Sequence, residues 1–142
     1  MKKSLIVGII AASMLAMQLS QAATICDVKA NLGNARSSLV AMVGSKDKAE
    51  QAALRDKVND ASTKLEEAYA AMLGDDNKAD DADLDKFKET WEAFKETRET
   101  EIIPAVEKGD TKTAKDIAQG VQADRMKVMN GVVADLGGDD CK

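Results

Sequence analysis

The sequence predicts an all-α protein that folds as an antiparallel, up-down-up-down four-helix bundle. First, the composition favours helices over strands, because aromatic residues make up only 3% of the chain while Ala, Leu, Lys and Glu are abundant. Second, four segments carry apolar residues alternately three and four positions apart, the spacing of an amphipathic helix. Third, short glycine-containing turns separate these segments, so their apolar stripes can be buried only against one another.

The four predicted helices cover about residues 27–43, 48–73, 82–108 and 111–136. The third helix contains nearly all of the aromatic residues. Pro104 falls near the end of this helix, where it removes a backbone donor, so we expect a kink there. The apolar stripes are Val28, Leu32, Ala35, Leu39 and Met42; Leu54, Val58, Ala61, Leu65, Ala68 and Met72; Leu84, Phe87, Trp91, Phe94, Ile102 and Ala105; and Ala114, Ile117, Val121, Val128, Val132 and Leu136.

The first 23 residues have the pattern of a cleaved signal peptide. Lys2 and Lys3 precede an apolar run over residues 5–17, and Ala22-Ala23 supplies the small residues of a cleavage site. A membrane anchor is the alternative, but the apolar run is shorter than the ~20 residues that a spanning helix needs. We therefore expect a periplasmic or secreted protein, with residues 24–142 forming the bundle and no stable membrane insertion after cleavage.

The charge of the mature chain bears on its partners. Removing Lys2 and Lys3 from 20 basic residues leaves 18 against 25 acidic residues, a net charge of minus seven. Nucleic acid is excluded as an expected partner, because its phosphates would repel this charge. The acidic balance also repels anionic lipid and is sufficiently explained by solubility.

Two cysteines lie at the two ends of the mature chain, Cys26 and Cys141. In an oxidising compartment we expect them to pair, and closing a loop of this length stabilises by about 4 to 5 kcal/mol in the chain-entropy model. Paired ends suit an even number of antiparallel helices, because the last helix then ends where the first begins. Two free thiols, an intermolecular disulfide and a lipid anchor on Cys26 are the alternatives; for the anchor, Ile25 stands where a small residue is needed.

Chemistry for catalysis and cofactor binding is missing from the sequence. The chain has no histidine, which excludes haem with axial His, His-rich metal sites and Glu-x-x-His diiron centres. Nucleophilic catalysis would need a base beside Ser, Thr or Cys, and no motif in the sequence indicates such a pair. The acidic turn over residues 75–81 could offer oxygen ligands to calcium, but its spacing is not that of an EF-hand loop. We predict no enzyme, no cofactor and no metal site.

One stretch of the sequence is distinctive, WEAFKETRETEIIPA from Trp91 to Ala105, followed by Gly109-Asp110, by GVQA at residues 120–123 and by Arg125. It resembles the periplasmic four-helix-bundle sensor domain of methyl-accepting chemotaxis proteins, the bacterial chemoreceptors. The resemblance is best over helices three and four and looser over helix one. Receptors of this family continue into a second membrane span, whereas this sequence ends at Lys142, so we expect a free-standing version.

The resemblance implies a site, because family members that bind amino acids or small carboxylates hold the carboxylate with bundle arginines at a dimer interface. Arg36, Arg98 and Arg125 are the candidate ligand-binding residues here. Arg98 interrupts the third apolar stripe and Arg125 lies at or beside the fourth. The alternatives are internal salt bridges, to Glu101 or Asp124, and side chains that extend to solvent. Counting ~1.5 Å per residue places Arg36 and Arg125 at similar heights and Arg98 roughly 10 Å away.

Two functional hypotheses follow. The first is an exported sensor-like bundle that binds a small organic acid or engages a membrane receptor. The second is a ligand-free envelope protein that acts through helix-helix association or as a structural bundle. The related sensor domains are dimers, but the exposed faces here are rich in charge, so we expect a monomer or a weak homodimer.

Overall fold

The computed structural model describes residues 24–73 and 81–142. The predicted signal peptide and most of the acidic turn lie outside these residues. Within them the fold is the predicted four-helix bundle. The elements are α1 (Ile25–Gly44), α2 (Lys48–Leu73), α3 (Asp81–Thr97), a π-helical turn (Arg98–Ile102), α4 (Ile103–Glu107), α5 (Thr111–Gln119), α6 (Val121–Asp135) and a 3-10 turn (Gly138–Asp140).

The first two helices of the bundle are α1 and α2. The third is α3 continued by the π turn and α4, and the fourth consists of α5 and α6. The core is built mainly from the predicted apolar stripes. Its largest fully buried apolar side chains are Leu32, Leu39, Leu65, Phe94, Ile102 and Met129. In the fourth helix the prediction was wrong at Val121 and Val128, which are exposed, because the interruption at Gly120 changes which face of α6 is buried. Ala118, Met129 and Val133 are buried there instead.

The two ends of the bundle differ. At one end, the first turn of α1 meets the end of α6, and a disulfide joins Cys26 to Cys141 with the α carbons 5.5 Å apart. We call this the disulfide end. The far end holds the turn between α1 and α2 and the turn between α4 and α5. The second of these turns contains Gly109 at φ 78°, where the backbone N–H groups of Gly109 and Asp110 bind carbonyls of α4.

The π turn ends at Ile102, two residues before Pro104. In it the backbone N–H of Ile103 donates to the carbonyl of Arg98, five residues back instead of four. Proline has no N–H and its ring collides with the carbonyl four residues earlier in an α-helix, so a wider turn relieves the collision. The irregularity expected from Pro104 therefore takes the form of a π bulge.

The fourth helix is interrupted at Gly120, which the regular apolar stripe does not indicate. The N–H of Gly120 still donates to the carbonyl of Asp116, at 2.9 Å, but its ψ of −109° ends α5. α6 then starts at Val121. A Cβ added at Gly120 would lie 2.9 Å from the backbone oxygen of Asp116, so this close approach requires glycine.

Candidate functional site

Arg98 is buried in the interior of the bundle, with 4% of its surface exposed. Its Nη1 donates to Ser62 Oγ at 2.8 Å, and its Nε donates to Glu99 Oε1 at 2.8 Å. Ser62 in turn donates to the carbonyl of Val58, at 2.7 Å. Arg98 thus has a carboxylate partner within its own helix. That partner is Glu99, not Glu101 or Asp124.

Arg125 reaches the same level of the bundle from α6. Its Nη1 donates to Thr97 Oγ1 at 2.7 Å and to Gln122 Oε1 at 2.9 Å. The fully buried Gln122 donates to the carbonyl of Phe94, at 2.8 Å. Over residues 24–73 and 81–142, no carboxylate lies within 4 Å of the Arg125 guanidinium nitrogens. Ser62, Thr97, Arg98, Gln122 and Arg125 form what we call the polar cluster.

Arg36 lies outside the polar cluster. Its Nη1 donates to the backbone carbonyl of Ala118, at 2.9 Å, in the last turn of α5. Burial lowers the pKa of the Arg36 guanidinium, which still stays protonated at neutral pH. The carbonyls in the last turn of a helix lack partners within that helix, so Arg36 supplies one where Gly120 interrupts the fourth helix.

The structure groups the three arginines differently from the height estimate. Arg125 binds Thr97, the residue before Arg98, whereas Arg36 contacts α5. The estimate assumed straight and continuous helices, but the π turn and the interruption at Gly120 alter the register. The three side chains therefore do not converge on one site.

A groove of about 310 Å³ runs between the C-terminal half of α1 and α5, near the far end. We call it the α1–α5 groove. Its wall is mostly apolar, and one cation, Lys115, lies in it. Within the part of the chain that the structure describes, no carboxylate lies within 4 Å of Lys115 Nζ. The lining residues are Val40, Val43, Gly44, Thr111, Lys115, Ala118 and Gln119.

Arg36 is connected to this groove through Ala118, which both lines it and accepts the Arg36 hydrogen bond. Arg36, Val40, Val43 and Gly44 are also spaced by four, three and one residues, so they lie along one face of α1. The candidate ligand-binding residues predicted from the sequence do not include Val40 and Lys115. Their only signal in the sequence is an apolar residue one turn after Arg36, outside the core stripe.

A second pocket of about 300 Å³ lies between α1, α2 and α4, and its two cations already have partners. Arg55 Nη1 binds Glu107 Oε1 at 2.9 Å, and its Nη2 lies 3.7 Å from Glu99 Oε2. Lys48 Nζ donates to the carbonyls of Val106 and Glu107, at 3.3 and 3.1 Å. These contacts tie the N-terminal half of α2 to the third helix.

The aromatic residues of α3 pack in the core. Phe87, Trp91 and Phe94 are each no more than 3% exposed. The Trp91 indole N–H donates to Glu66 Oε1 at 3.0 Å, and Lys95 pairs with the same carboxylate. Burial alone would raise the pKa of Glu66, but the bonds from Lys95 and Trp91 together hold it below its usual value.

Among the described residues, no three Cys, Asp or Glu side chains are grouped closely enough to hold a metal ion. No helix in that part of the chain is both long and apolar enough to cross a membrane.

Comparison with known proteins identifies the family. Residues 11–138 match the family model described as a four helix bundle sensory module for signal transduction. No curated protein and no solved structure matches the chain. The family description names a sensory module and not a class of enzyme. The match covers most of the 142 residues and agrees with the observed bundle. The chain belongs to the family of four-helix-bundle sensory modules for signal transduction.

Proposed function

We propose that the chain is an exported sensory bundle, periplasmic or secreted, that recognises a small organic acid in the α1–α5 groove. The observation that carries this proposal is Lys115, a cation without an acidic partner among the described residues, in the wall of a mostly apolar groove. Lys115 is exposed to solvent, and a carboxylate that enters the groove would give it a charge partner while the apolar wall packs against the rest of the ligand.

The three predicted arginines have unequal roles in this proposal. Arg36 holds the end of α5 through Ala118 and so fixes one wall of the groove. Arg98 is occupied by Glu99 and Ser62, and Arg125 by Thr97 and Gln122. We assign these two to holding the helices in register rather than to the ligand.

Thermal unfolding of the oxidised mature protein against a panel of amino acids, dicarboxylates and monocarboxylates tests the proposal. An acid at a hundred times its dissociation constant should add about 2.7 kcal/mol to the free energy of unfolding. Lys115→Gln should reduce the ligand-induced shift, whereas Arg125→Gln should leave it unchanged. A shift that is unchanged in Lys115→Gln and reduced in Arg125→Gln would place the ligand at the polar cluster and contradict the groove.

The second candidate is a bundle that acts without a ligand, by association with a membrane receptor or another helical protein. It is favoured by the satisfied interior, because every buried side-chain nitrogen and oxygen in the described residues has a hydrogen-bond partner. Val40, Val121 and Val128 are exposed and could contact such a partner. A flat ligand panel, with light scattering that shows association at higher concentration, would support this candidate over the first.

A further inference from the structure

We infer that the acid taken by the α1–α5 groove is a monocarboxylate with an apolar body, and not a dicarboxylate or a polar amino acid. This inference rests on the proposed function and names the class of ligand. It follows from the charges of the lining, the chemistry of the walls and the antiparallel arrangement of α1 and α5.

The lining of the groove carries a single charged side chain. Lys115 is the only ionisable residue among those that line the groove. Arg36, at the edge, already donates to the carbonyl of Ala118. The Asp110 carboxylate, which caps α5, accepts a hydrogen bond from the backbone N–H of Thr113, and it does not line the groove. One cation can pair with one carboxylate, whereas a second carboxylate or an ammonium would gain no charge partner from the lining and would cover apolar wall instead.

The walls of the groove favour a ligand with an apolar body. Val40 and Val43 of α1 and Ala118 of α5 present apolar surface to the groove, and Val40 is 47% exposed. Covering this surface with an apolar body is favourable, whereas covering it with a polar body leaves hydrogen-bonding groups unsatisfied. A volume of about 310 Å³ is at the lower end of the range for small-molecule sites, which fits a small acid.

The arrangement of α1 and α5 determines the direction in which the ligand would lie. α1 and α5 are antiparallel, so Gly44 and Val43 lie near Thr111 and Lys115, and Val40 lies nearer Ala118. The carboxylate would bind Lys115, and the hydroxyl of Thr111, one turn earlier in α5, also lines the groove and can donate to it. The apolar body would then extend along Val40 and Ala118, towards the middle of the bundle.

Gly44 provides a way to block the groove. It has an ordinary helical backbone, and a Cβ added to it would meet no atom within 4 Å. A leucine at this position would extend into the open space of the groove beside the proposed carboxylate site. Gly33 on the same helix is also open, but it does not line the groove, so Gly33→Leu is a matched control.

The test is calorimetric titration of the full mature protein with benzoate, hexanoate, succinate and hexanamide. We expect benzoate or hexanoate to bind at least about tenfold more tightly than succinate, whose second carboxylate replaces the apolar body, since two buried methylene groups are worth about that factor. Hexanamide should bind about threefold to fivefold more weakly than hexanoate, because it offers no charge to the exposed Lys115. Lys115→Gln should weaken hexanoate binding about threefold to fivefold, since the lysine is exposed, and Gly44→Leu should weaken it at least about tenfold by filling the groove. Lys112→Gln, whose lysine pairs with Asp116, and Gly33→Leu should leave it unchanged.

The outcomes separate the inference from the proposed function. Tighter binding of succinate that still depends on Lys115 would overturn the ligand class and leave the groove as the site. Equal binding of hexanamide and hexanoate would contradict the pairing of the ligand carboxylate with Lys115. Binding of no acid by a folded protein would overturn the proposed function itself, and with it this inference.

Discussion

At the scale of single residues, the buried arginine is the most demanding group in the interior. Arg98 carries its charge into the core, where hydrogen bonds to Glu99 and Ser62 offset its removal from water, and the Glu66 carboxylate adds an electrostatic attraction. Glu99 is 41% exposed, so solvent also reaches one side of the pair. We read Arg98 as a cross-link between the third helix and α2 that requires each of its hydrogen bonds.

Replacing Arg98 should therefore lower the free energy of unfolding, and the loss should grow with the volume that the new side chain leaves empty. We expect Arg98→Ala to lower the free energy of unfolding by about 2 to 3 kcal/mol, because it removes both bonds and leaves a void. Arg98→Met should lose less, since it fills much of the space and Ser62 still donates to Val58. Urea unfolding at unchanged slope measures both, and a loss of less than about 0.5 kcal/mol in Arg98→Ala would contradict this role.

Glu66 gives a pH dependence of stability. Its folded-state pKa is lowered by the bonds from Lys95 and Trp91, despite the opposing effect of burial. A lowered carboxylate pKa contributes stability above the unfolded-state value, and that stability is lost as the pH falls through the folded-state value. Unfolding measured from about pH 6 to pH 2 should show this loss, and Glu66→Gln should make the acid limb shallower. An unchanged acid limb in Glu66→Gln would exclude Glu66 as a contributor.

At the scale of elements, the fourth helix is two helices joined at a glycine. The interruption frees the carbonyl of Ala118 for Arg36, and it also sets the direction in which α6 leaves. The α1–α5 groove thus depends on a local break in the helix as well as on the residues that line it.

Two glycines on the fourth helix make a matched test. Gly120→Ala should destabilise by about 1 to 3 kcal/mol, because its Cβ would lie 2.9 Å from the Asp116 carbonyl oxygen and the backbone must move. Gly131→Ala, in an open and exposed position within α6, should instead stabilise by about 0.5 to 1 kcal/mol. Chemical unfolding of both variants is the measurement, and stabilisation by Gly120→Ala would mean that the helix can close without cost.

How far the sequence could predict these elements depends on the kind of signal. Helical bundles reveal themselves through periodicity, because each apolar stripe must face the core. The π turn, in contrast, is a choice between hydrogen bonds four and five residues apart, and Pro104 indicates an irregularity without selecting its form. The interruption at Gly120 has one local signal, a glycine inside a predicted helix, but that signal does not distinguish a break from a continuous helix.

The candidate site was harder to predict than the fold for the same reason. Arg98 and Arg125 stand out because they break an apolar stripe, yet both bind partners inside the bundle. Lys115 looks like any surface lysine in the sequence. Its interest arises only from its position beside Val40 and from the absence of a nearby carboxylate among the described residues, and both depend on the tertiary structure.

At the scale of the whole molecule, the disulfide joins the first helix to the end of the last. Cys26 and Cys141 are 115 residues apart, so the bond restricts nearly the whole unfolded chain. Cys26→Ser with Cys141→Ser should lower the free energy of unfolding by up to about 4 to 5 kcal/mol in the chain-entropy model. Thermal unfolding with and without reductant checks this, and a reductant effect that persists in the double variant would contradict it.

The same covalent closure determines how the bundle responds to mechanical load. A force that pulls Cys26 and Cys141 apart is carried by the sulfur-sulfur bond, so the helices between them are not unwound and the core is not opened. Tension applied through the two ends of the chain is therefore shielded from the groove and from the polar cluster. Only after reduction of the disulfide would such a force separate α1 and α6 from the rest of the bundle.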